Sequence, residues 1–345
     1  MKAKQVLNDL GLHECNNAPC IFRGYVQGHH NKDEEIILGL YVDDFVYFSS
    51  SKSAKALFEK LLSEKLNVEF YPNPTQFLGM KSHIIHTPKE TSIYLNQQAI
   101  VEYLIANAGL DHDHVNSTLT RYRLGLQVDK VPSNDNLPYK RREECQNILR
   151  SYVGSLNWLS TGTRPNLSTI TNMLAQYSHA ASPGHITSTK YAIKYLKVTL
   201  GYGICFSSKT IATTNAYVKF PLDKPDMTAA LLDANWGPQD ASNPKLDKQY
   251  PDLDLFKSRS ISVFLIWRLG PLCWSSKRQT LTVRSSAKAE IYATDECVKS
   301  LQHIFHILEE LHASIPLPIP VLNDNSACAT WAKFKTTKGL HHLQI

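Results

Sequence analysis

Two adjacent aspartates between short apolar runs constrain the fold of this chain more than any other feature. Asp43 and Asp44 follow the apolar run 36–42 and precede the apolar run 45–48. Both runs are rich in residues with high strand propensity, whereas aspartate favours turns. We therefore predict a strand, a tight turn and a second strand, with both carboxylates at the exposed tip of the hairpin.

Two carboxylates at a hairpin tip are close enough to share divalent cations. Mg²⁺ binds through one or two carboxylates together with substrate phosphates, an arrangement used by polymerases. The alternative is a polar turn without chemistry, since an Asp-Asp pair alone does not define a metal site. The complete tetrapeptide Tyr41–Asp44 in its strand context, and the segments that follow it, favour the metal site.

Length and composition indicate a globular protein of more than one domain. The chain has 345 residues, 43% of them apolar and 20% charged, and its net charge of +6 allows a polyanionic partner without requiring one. Seven scattered cysteines without a Cys-x-x-Cys pair favour reduced thiols in an intracellular compartment. No apolar run reaches the ~18 residues that span a bilayer. We therefore expect no membrane partner, and residues 1–10 are typical of an amphipathic helix rather than a secretory signal.

Changes in hydrophobic periodicity divide the chain into blocks. Residues 1–110 mix helices and strands, residues 111–138 are polar and typical of a linker, and residues 139–202 are helical throughout. In the last block, 203–345, the predicted strands lie near 203–206, 228–234, 260–267, 271–275, 279–283 and 319–323, and the predicted helices at 286–312 and 325–334. Residues 236–258 are typical of a polar insertion loop. The predicted fold class is α/β.

Three acidic residues of the last block stand at or near the ends of predicted elements. Asp233 ends an apolar strand, and Asp324 separates a strand from the last helix. Glu290 is expected in the first turn of the long helix, after the candidate N-caps Ser285 and Ser286. Carboxylates that converge at one sheet edge can hold two cations about 3.5–4 Å apart, the geometry of two-metal phosphodiester hydrolysis. The alternative is that Asp233 and Asp324 cap element ends and that Glu290 complements a helix dipole.

Short motifs follow one another in order along nearly the whole chain. They are Leu7–Phe22, Tyr41–Asp44, Phe77–Gly79, Tyr152–Leu156, Thr163–Asn166, Tyr195–Lys197, Ser258–Ser262, Trp274–Gln279, Ser285–Glu290 and Asn323–Ala327. In that order they resemble the reverse transcriptase, the helical connection and the ribonuclease H domain of copia-type (pseudoviral) long-terminal-repeat retrotransposons. The chain thus resembles the C-terminal part of their Pol polyprotein. Phe77–Gly79 matches a strand of that family, so we expect a strand there.

This resemblance implies RNA-directed DNA synthesis and cleavage of RNA in RNA·DNA hybrids, both dependent on Mg²⁺ or Mn²⁺. It implies a partial reverse-transcriptase palm and thumb at 1–110, a connection at 139–202 and a ribonuclease-H-like mixed sheet with flanking helices at 203–345. Asp43 and Asp44 match the polymerase metal ligands. The residues that match the ribonuclease H site are Asp233, Glu290 and Asp324 as metal ligands, and His342 as a further candidate catalytic residue.

The implied partners are a template-primer and an RNA·DNA hybrid. The parent protein is expected to assemble with other polyprotein products inside the cell, in a cytoplasmic virus-like particle with access to the nucleus. Basic and aromatic residues of the helical block are candidates for tracking a nucleic-acid backbone, namely Lys140, Arg141, Arg142, Trp158 and Arg164. Taken singly, each also fits a solvated charge or a core aromatic.

The chain departs from the family pattern at both sites. Such polymerases use a third metal carboxylate upstream, but only Asp9 and Asp33 precede Asp43, in a helical pattern and a polar turn. We therefore expect the fingers and the first half of the palm to be missing and polymerase activity to be lost. Gln344 stands where the family has an acid, which puts the second ribonuclease H metal in doubt. Two hypotheses follow: an enzyme that retains ribonuclease H activity, or a non-catalytic retroelement remnant that at most binds nucleic acid.

Overall fold

The computed structural model describes residues 2–26, 34–71, 75–88, 90–111, 137–208, 227–236, 259–283 and 285–334. These residues form a mixed α/β structure, which confirms the predicted fold class. The predicted linker and insertion loop fall almost entirely outside the described residues. The chain divides into two compact units, one made of residues 1–84 with 299–318 and the other of 85–298 with 319–345.

The first unit contains a four-stranded antiparallel sheet. Its elements are helix α1 (Lys2–Asp9), strands β1 (Leu12–Glu14), β2 (Ile21–Gly24), β3 (Ile36–Tyr41) and β4 (Asp44–Ser49), and helix α2 (Lys52–Lys65). The strands are hydrogen-bonded in chain order. Alternate residues of a strand share a face, so Ile36 and Leu38 both enter the core. Phe58 and Leu62, one helical turn apart on α2, pack in the same core.

The strands β3 and β4 form the predicted Asp-Asp hairpin. Tyr41 lies opposite Asp44, so Val42 and Asp43 make a two-residue turn. Val42 has φ of 53°, an uncommon conformation for a β-branched residue. Both aspartates are exposed. The hairpin and the exposure of its two carboxylates are therefore confirmed.

A second hairpin corrects the expectation of a continuous strand at Phe77–Gly79. Strand β5 (Gln76–Phe77) ends at Phe77 and pairs with β6 (Met80–Thr87). Leu78 and Gly79 between them have φ of 52° and 71°. Positive φ at both central residues is the requirement of a type I′ turn. The motif is therefore a strand end followed by a turn.

Helices dominate the middle of the second unit, as the periodicity of residues 139–202 predicts. Strand β7 (Glu90–Asn96) precedes α3 (Gln98–Asn107), and β8 (Ile204–Ser207) pairs antiparallel with β7. The helices between them are α4 (Tyr139–Gly162), a short 3₁₀ helix (Pro165–Leu167), α5 (Ser168–Ala175) and α6 (Pro183–Val198). One shared core holds them together, including Leu104, Leu149, Leu156, Leu159, Leu174, Ile193 and Leu196.

The second sheet of this unit combines antiparallel and parallel pairing. Its strands are β9 (Ala229–Asn235), β10 (Ile261–Trp267), β11 (Pro271–Arg278) and β12 (Val321–Leu322), in the spatial order β11-β10-β9-β12. The strand β9 runs antiparallel to β10 and parallel to β12. Two helices complete the chain order, α7 (Ser286–Glu310) before β12 and α8 (Ser326–Phe334) after it. The Trp274 indole N–H donates to the Ser160 carbonyl at 2.6 Å, which joins β11 to α4.

The predicted strand at 279–283 does not form. Strand β11 runs to Arg278, and the backbone N–H of Gln279 makes one more bond, to the Ser260 carbonyl at 2.7 Å. The Gln279 side chain is only 1% exposed and donates to Ser262 Oγ at 3.0 Å and to the Ala289 carbonyl at 2.8 Å. These bonds tie Gln279 to the start of α7, and the chain leaves the sheet there.

Across the described ranges, no helix has both the length and the apolar character needed to cross a bilayer.

Arg164 is buried in the helical core, with 2% of its surface exposed. Its guanidinium donates to the Thr199 carbonyl at 3.0 Å and to Thr199 Oγ1 at 2.7 Å, and so connects the start of the 3₁₀ helix to the end of α6. The rings of Tyr195 and Tyr202 lie 5.7 and 5.8 Å from it. Burial lowers the pKa of Arg164, and the neighbouring tyrosines oppose that shift. Arg164 therefore has a structural role rather than a place on the surface.

We predict that Arg164→Ala lowers the free energy of unfolding by about 2–4 kcal/mol, because it leaves a cavity and removes the donors to Thr199. Urea denaturation followed by circular dichroism measures this loss. The exposed Lys140 on α4 supplies the control, since Lys140→Ala should change stability by less than about 0.5 kcal/mol. Equal effects of the two substitutions would contradict the structural role of Arg164.

Candidate metal centre

Three carboxylates converge at one edge of the second sheet. Asp233 lies on β9, and Asp324 follows β12 by two positions. Val321 pairs with Ala230 and Leu322 with Leu231, so the same parallel register, continued along the chain, brings Asp324 beside Asp233. Glu290 of α7 completes the group, which we call the carboxylate cluster (Asp233, Glu290 and Asp324). One oxygen from each residue lies within 4.8 Å of the others.

The cluster is open on one side and closed on the other. Asp233 and Asp324 are exposed, whereas Glu290 is 4% exposed. Among the residues that the structure describes, no lysine or arginine forms an ion pair with any of the three. The oxygens that face solvent are thus free to bind a cation.

Two neutral donors hold the buried carboxylate of Glu290. The backbone N–H of Ala234 donates to Oε1 at 3.2 Å, and the side-chain amide of Asn323 donates to Oε2 at 2.9 Å. Burial raises the pKa of Glu290 above its ordinary value, the two hydrogen bonds lower it, and the carboxylates of Asp233 and Asp324 raise it again. The negative charge of Glu290 is therefore only partly compensated by protein groups.

The start of α7 fixes the backbone that carries Glu290. Ser285 caps the helix, since its hydroxyl accepts from the Lys288 backbone N–H at 3.3 Å. This confirms the predicted cap. Glu290 is the fifth residue of α7, one position beyond the first turn in which we expected it. The effect of a helix dipole falls off within that first turn, so the dipole alone does not account for this acid.

Residue Asp324 is held by a turn between β12 and α8. The backbone N–H of Asn325 donates to Asn323 Oδ1 at 2.7 Å, and the backbone N–H of Cys328 donates to Asn325 Oδ1 at 3.0 Å. Asn325 is therefore the N-cap of α8. Cys328 and Trp331 of α8 pack against Ile291, the residue after Glu290. The turn and the small core hold Asp324 close to α7.

Sequence reasoning did not identify Gln279 and Asn323 as parts of this site. Both lie inside motifs that resemble the family, but their type and spacing show no chemistry of their own. Gln279 supports the backbone next to Glu290, and Asn323 contacts the Glu290 carboxylate directly. A buried amide has a role only through its partners, and the partners of these two residues are distant in sequence.

The other candidate site residues lie outside the cluster. Asp43 and Asp44 belong to the first unit, and within the described part of the chain no third acidic, histidine or cysteine side chain groups with them. His342 and Gln344 are outside the described residues.

The candidates for nucleic-acid contact differ in exposure. Lys140 and Arg141 are exposed on α4, Arg142 is half-buried, and Trp158 is 47% exposed. Arg141 also pairs with Glu144 at 2.9 Å. Arg164 is buried and hydrogen-bonded to Thr199, so its position does not fit a contact with a nucleic-acid backbone.

Three Pol polyproteins of plant transposons are similar to this chain. The "Retrovirus-related Pol polyprotein from transposon RE2" of Arabidopsis thaliana is 30% identical over 295 residues, which cover 84% of this chain and 17% of the relative. The corresponding polyprotein from transposon RE1 of the same species is 29% identical, with 83% and 17% covered. That of transposon TNT 1-94 from Nicotiana tabacum is 23% identical, with 85% and 19% covered.

No family model and no solved structure matches the chain. The relatives are similar along more than four-fifths of it, whereas the chain spans less than a fifth of their length. The motifs and these similarities agree on one family: the chain belongs to the copia-type retrotransposon Pol polyproteins and corresponds to one region of them.

Proposed function

We propose that this region is the reverse transcriptase and ribonuclease H part of the polyprotein, and that the carboxylate cluster cleaves RNA in RNA·DNA hybrids. The convergence of three carboxylates within 4.8 Å carries this proposal. The element order supports it, because three antiparallel strands, a helix, a parallel strand and a second helix resemble a ribonuclease H domain. The relatives are named as retrovirus-related Pol polyproteins, which agrees with it.

The residues of the cluster fit a hard divalent cation such as Mg²⁺ or Mn²⁺. Carboxylate oxygens are the ligands that these ions prefer. Glu290 is buried beside two further carboxylates and has only neutral hydrogen-bond donors, so added positive charge at this point would stabilise the ionised group. Asp233, Glu290 and Asp324 would hold the cation or cations through their carboxylate oxygens.

The chemistry that bound cations would supply is activation of the attacking water and stabilisation of the leaving 3′ oxygen. The chain's own residues prepare the site for them. Glu290 keeps its carboxylate turned towards Asp233 and Asp324 through the bonds from Ala234 and Asn323. The exposed carboxylates of Asp233 and Asp324 leave room for a substrate phosphate.

The proposed substrate is an RNA·DNA hybrid bound by its backbone. The exposed basic residues Lys140 and Arg141, with the partly exposed Arg142 and Trp158, supply charge and a stacking surface on α4. The domain limits that we propose are 1–110 for the palm and thumb, 139–202 for the connection and 203–345 for the ribonuclease H domain. We place the parent protein inside the cell, where reverse transcription of such elements takes place.

The second candidate is a non-catalytic remnant. The exposed Asp43 and Asp44 favour this candidate with respect to polymerase activity, which we expect to be lost. Within the described residues these carboxylates lack the third acid that a polymerase site requires. All three acids of the carboxylate cluster are present. An assay of hybrid hydrolysis therefore distinguishes the enzyme from the non-catalytic remnant.

We predict that Asp233→Asn removes hybrid cleavage almost entirely, because the amide keeps the shape of the side chain and loses the charge that binds cations. Cleavage of a labelled RNA·DNA hybrid at several Mg²⁺ concentrations measures the effect. Asp111→Asn is the matched control, because this exposed aspartate belongs to the same unit and lies outside the cluster. A wild-type chain as inert as Asp233→Asn would favour the remnant.

Hybrid binding should weaken as salt rises, because phosphate contacts release counterions. Lys140→Ala should reduce the slope of log affinity against log salt by about one, as measured by fluorescence anisotropy. Lys60→Ala, an exposed change on α2, is the control that should leave the slope unchanged. A wild-type affinity that does not respond to salt would show that the net positive charge does not serve to bind nucleic acid.

We predict that this chain extends no primer on an RNA template, since two carboxylates at a hairpin tip do not position two cations and a triphosphate. A primer-extension assay with Mg²⁺ tests this. Extension that Asp43→Asn abolishes would contradict the prediction.

A further inference from the structure

Asn323 is the one described side chain that hydrogen-bonds the buried carboxylate of the cluster, and both ends of its amide are used. Its Nδ2 donates to Glu290 Oε2 at 2.9 Å, and its Oδ1 accepts from the Asn325 backbone N–H at 2.7 Å. The second bond fixes the rotation of the amide, so the NH₂ group is directed at Glu290 before any ligand arrives.

The two donors to Glu290 come from two neighbouring strands and bond different oxygens. Ala234 donates to Oε1 from β9, and Asn323 donates to Oε2 from the end of β12. Each carboxylate oxygen accepts more than one bond, so both retain lone pairs for a cation. The carboxylate is thereby held at both oxygens by residues adjacent in sequence to the other two acids, Ala234 next to Asp233 and Asn323 next to Asp324.

The amide of Asn323 suits this position by its lack of charge as well as by its shape. A neutral donor can hold the Glu290 carboxylate without competing with a cation. A lysine or arginine would compete with it. Because the Asn323 amide carries no positive charge, it holds the Glu290 carboxylate without taking the place of a cation among the three acids.

We infer that Asn323 is a positioning residue that orients the Glu290 carboxylate and thereby sets the affinity of the cluster for hard divalent cations. This inference rests on the proposed metal-dependent function of the cluster. Partners of metal ligands typically contribute 10–100-fold to metal affinity or activity. The effect of Asn323 should therefore be visible in metal binding itself, without a turnover assay.

Two matched substitutions in the same turn test the role of Asn323. In Asn323→Ser the short hydroxyl can still accept from the Asn325 N–H, as serine does in such turns, but it cannot reach Glu290. In Asn325→Ser the hydroxyl still caps α8, since serine is a good N-cap, and the bond from Asn323 to Glu290 is untouched. Both variants should therefore fold, and only the first loses the contact with Glu290.

Binding of Mn²⁺ to the full chain, titrated by electron paramagnetic resonance of the free ion, gives the readout. Asn323→Ser should weaken binding by roughly tenfold, and Asn325→Ser should bind as the wild type does. Binding by Asn323→Ser at wild-type affinity, or equal losses in both variants, would overturn the role of Asn323. Asp233→Asn tests whether the carboxylate cluster binds metal at all. If the wild type binds no more Mn²⁺ than Asp233→Asn, the metal site itself is wrong, and the inference about Asn323 is overturned with it.

Discussion

The burial of the Glu290 carboxylate is the constraint on which the candidate site depends. An ionised carboxylate removed from water is costly unless hydrogen bonds and opposite charge compensate it. Within the described residues, Glu290 receives two neutral hydrogen bonds and faces two further carboxylates. Positive charge from a bound cation would therefore stabilise this arrangement.

The rest of the second unit holds this charge in place. Parallel pairing of β9 with β12 brings Asp233 and Asp324 to the same level. Gln279 ties the backbone at Ala289 to Ser262 of β10, so the position of α7 depends on the sheet. The bond between Trp274 and Ser160 fixes the sheet against the helical core in turn.

Local periodicity predicted most elements correctly, because hydrophobic spacing reports directly on which face of a helix or strand is buried. The Asp-Asp hairpin, the helices of residues 139–202 and the long helix with its Ser285 cap follow from such patterns. The grouping of Asp233, Glu290 and Asp324 was expected because all three stand near the ends of elements.

Hydrogen bonds between residues distant in sequence determine the features that the sequence did not predict. The Arg164 guanidinium is buried because Thr199, thirty-five positions away, accepts its hydrogen bonds. The strand predicted at 279–283 does not form, because the chain leaves the sheet where the Gln279 side chain bonds Ser262 and Ala289. Asn323 has the type of an ordinary turn residue, and only its distance to Glu290 shows another role. No periodicity in the sequence reports such contacts.

Anomalous diffraction from crystals of the chain grown with MnCl₂ would show whether the carboxylate cluster binds cations. We expect at least one manganese peak among the carboxylate oxygens of Asp233, Glu290 and Asp324, at about 2.0–2.2 Å, since Mn²⁺ prefers the same oxygen ligands as Mg²⁺. A second peak about 3.5–4 Å from the first would indicate a two-metal site. Manganese bound elsewhere on the protein, with none between these three carboxylates, would contradict the proposed metal site.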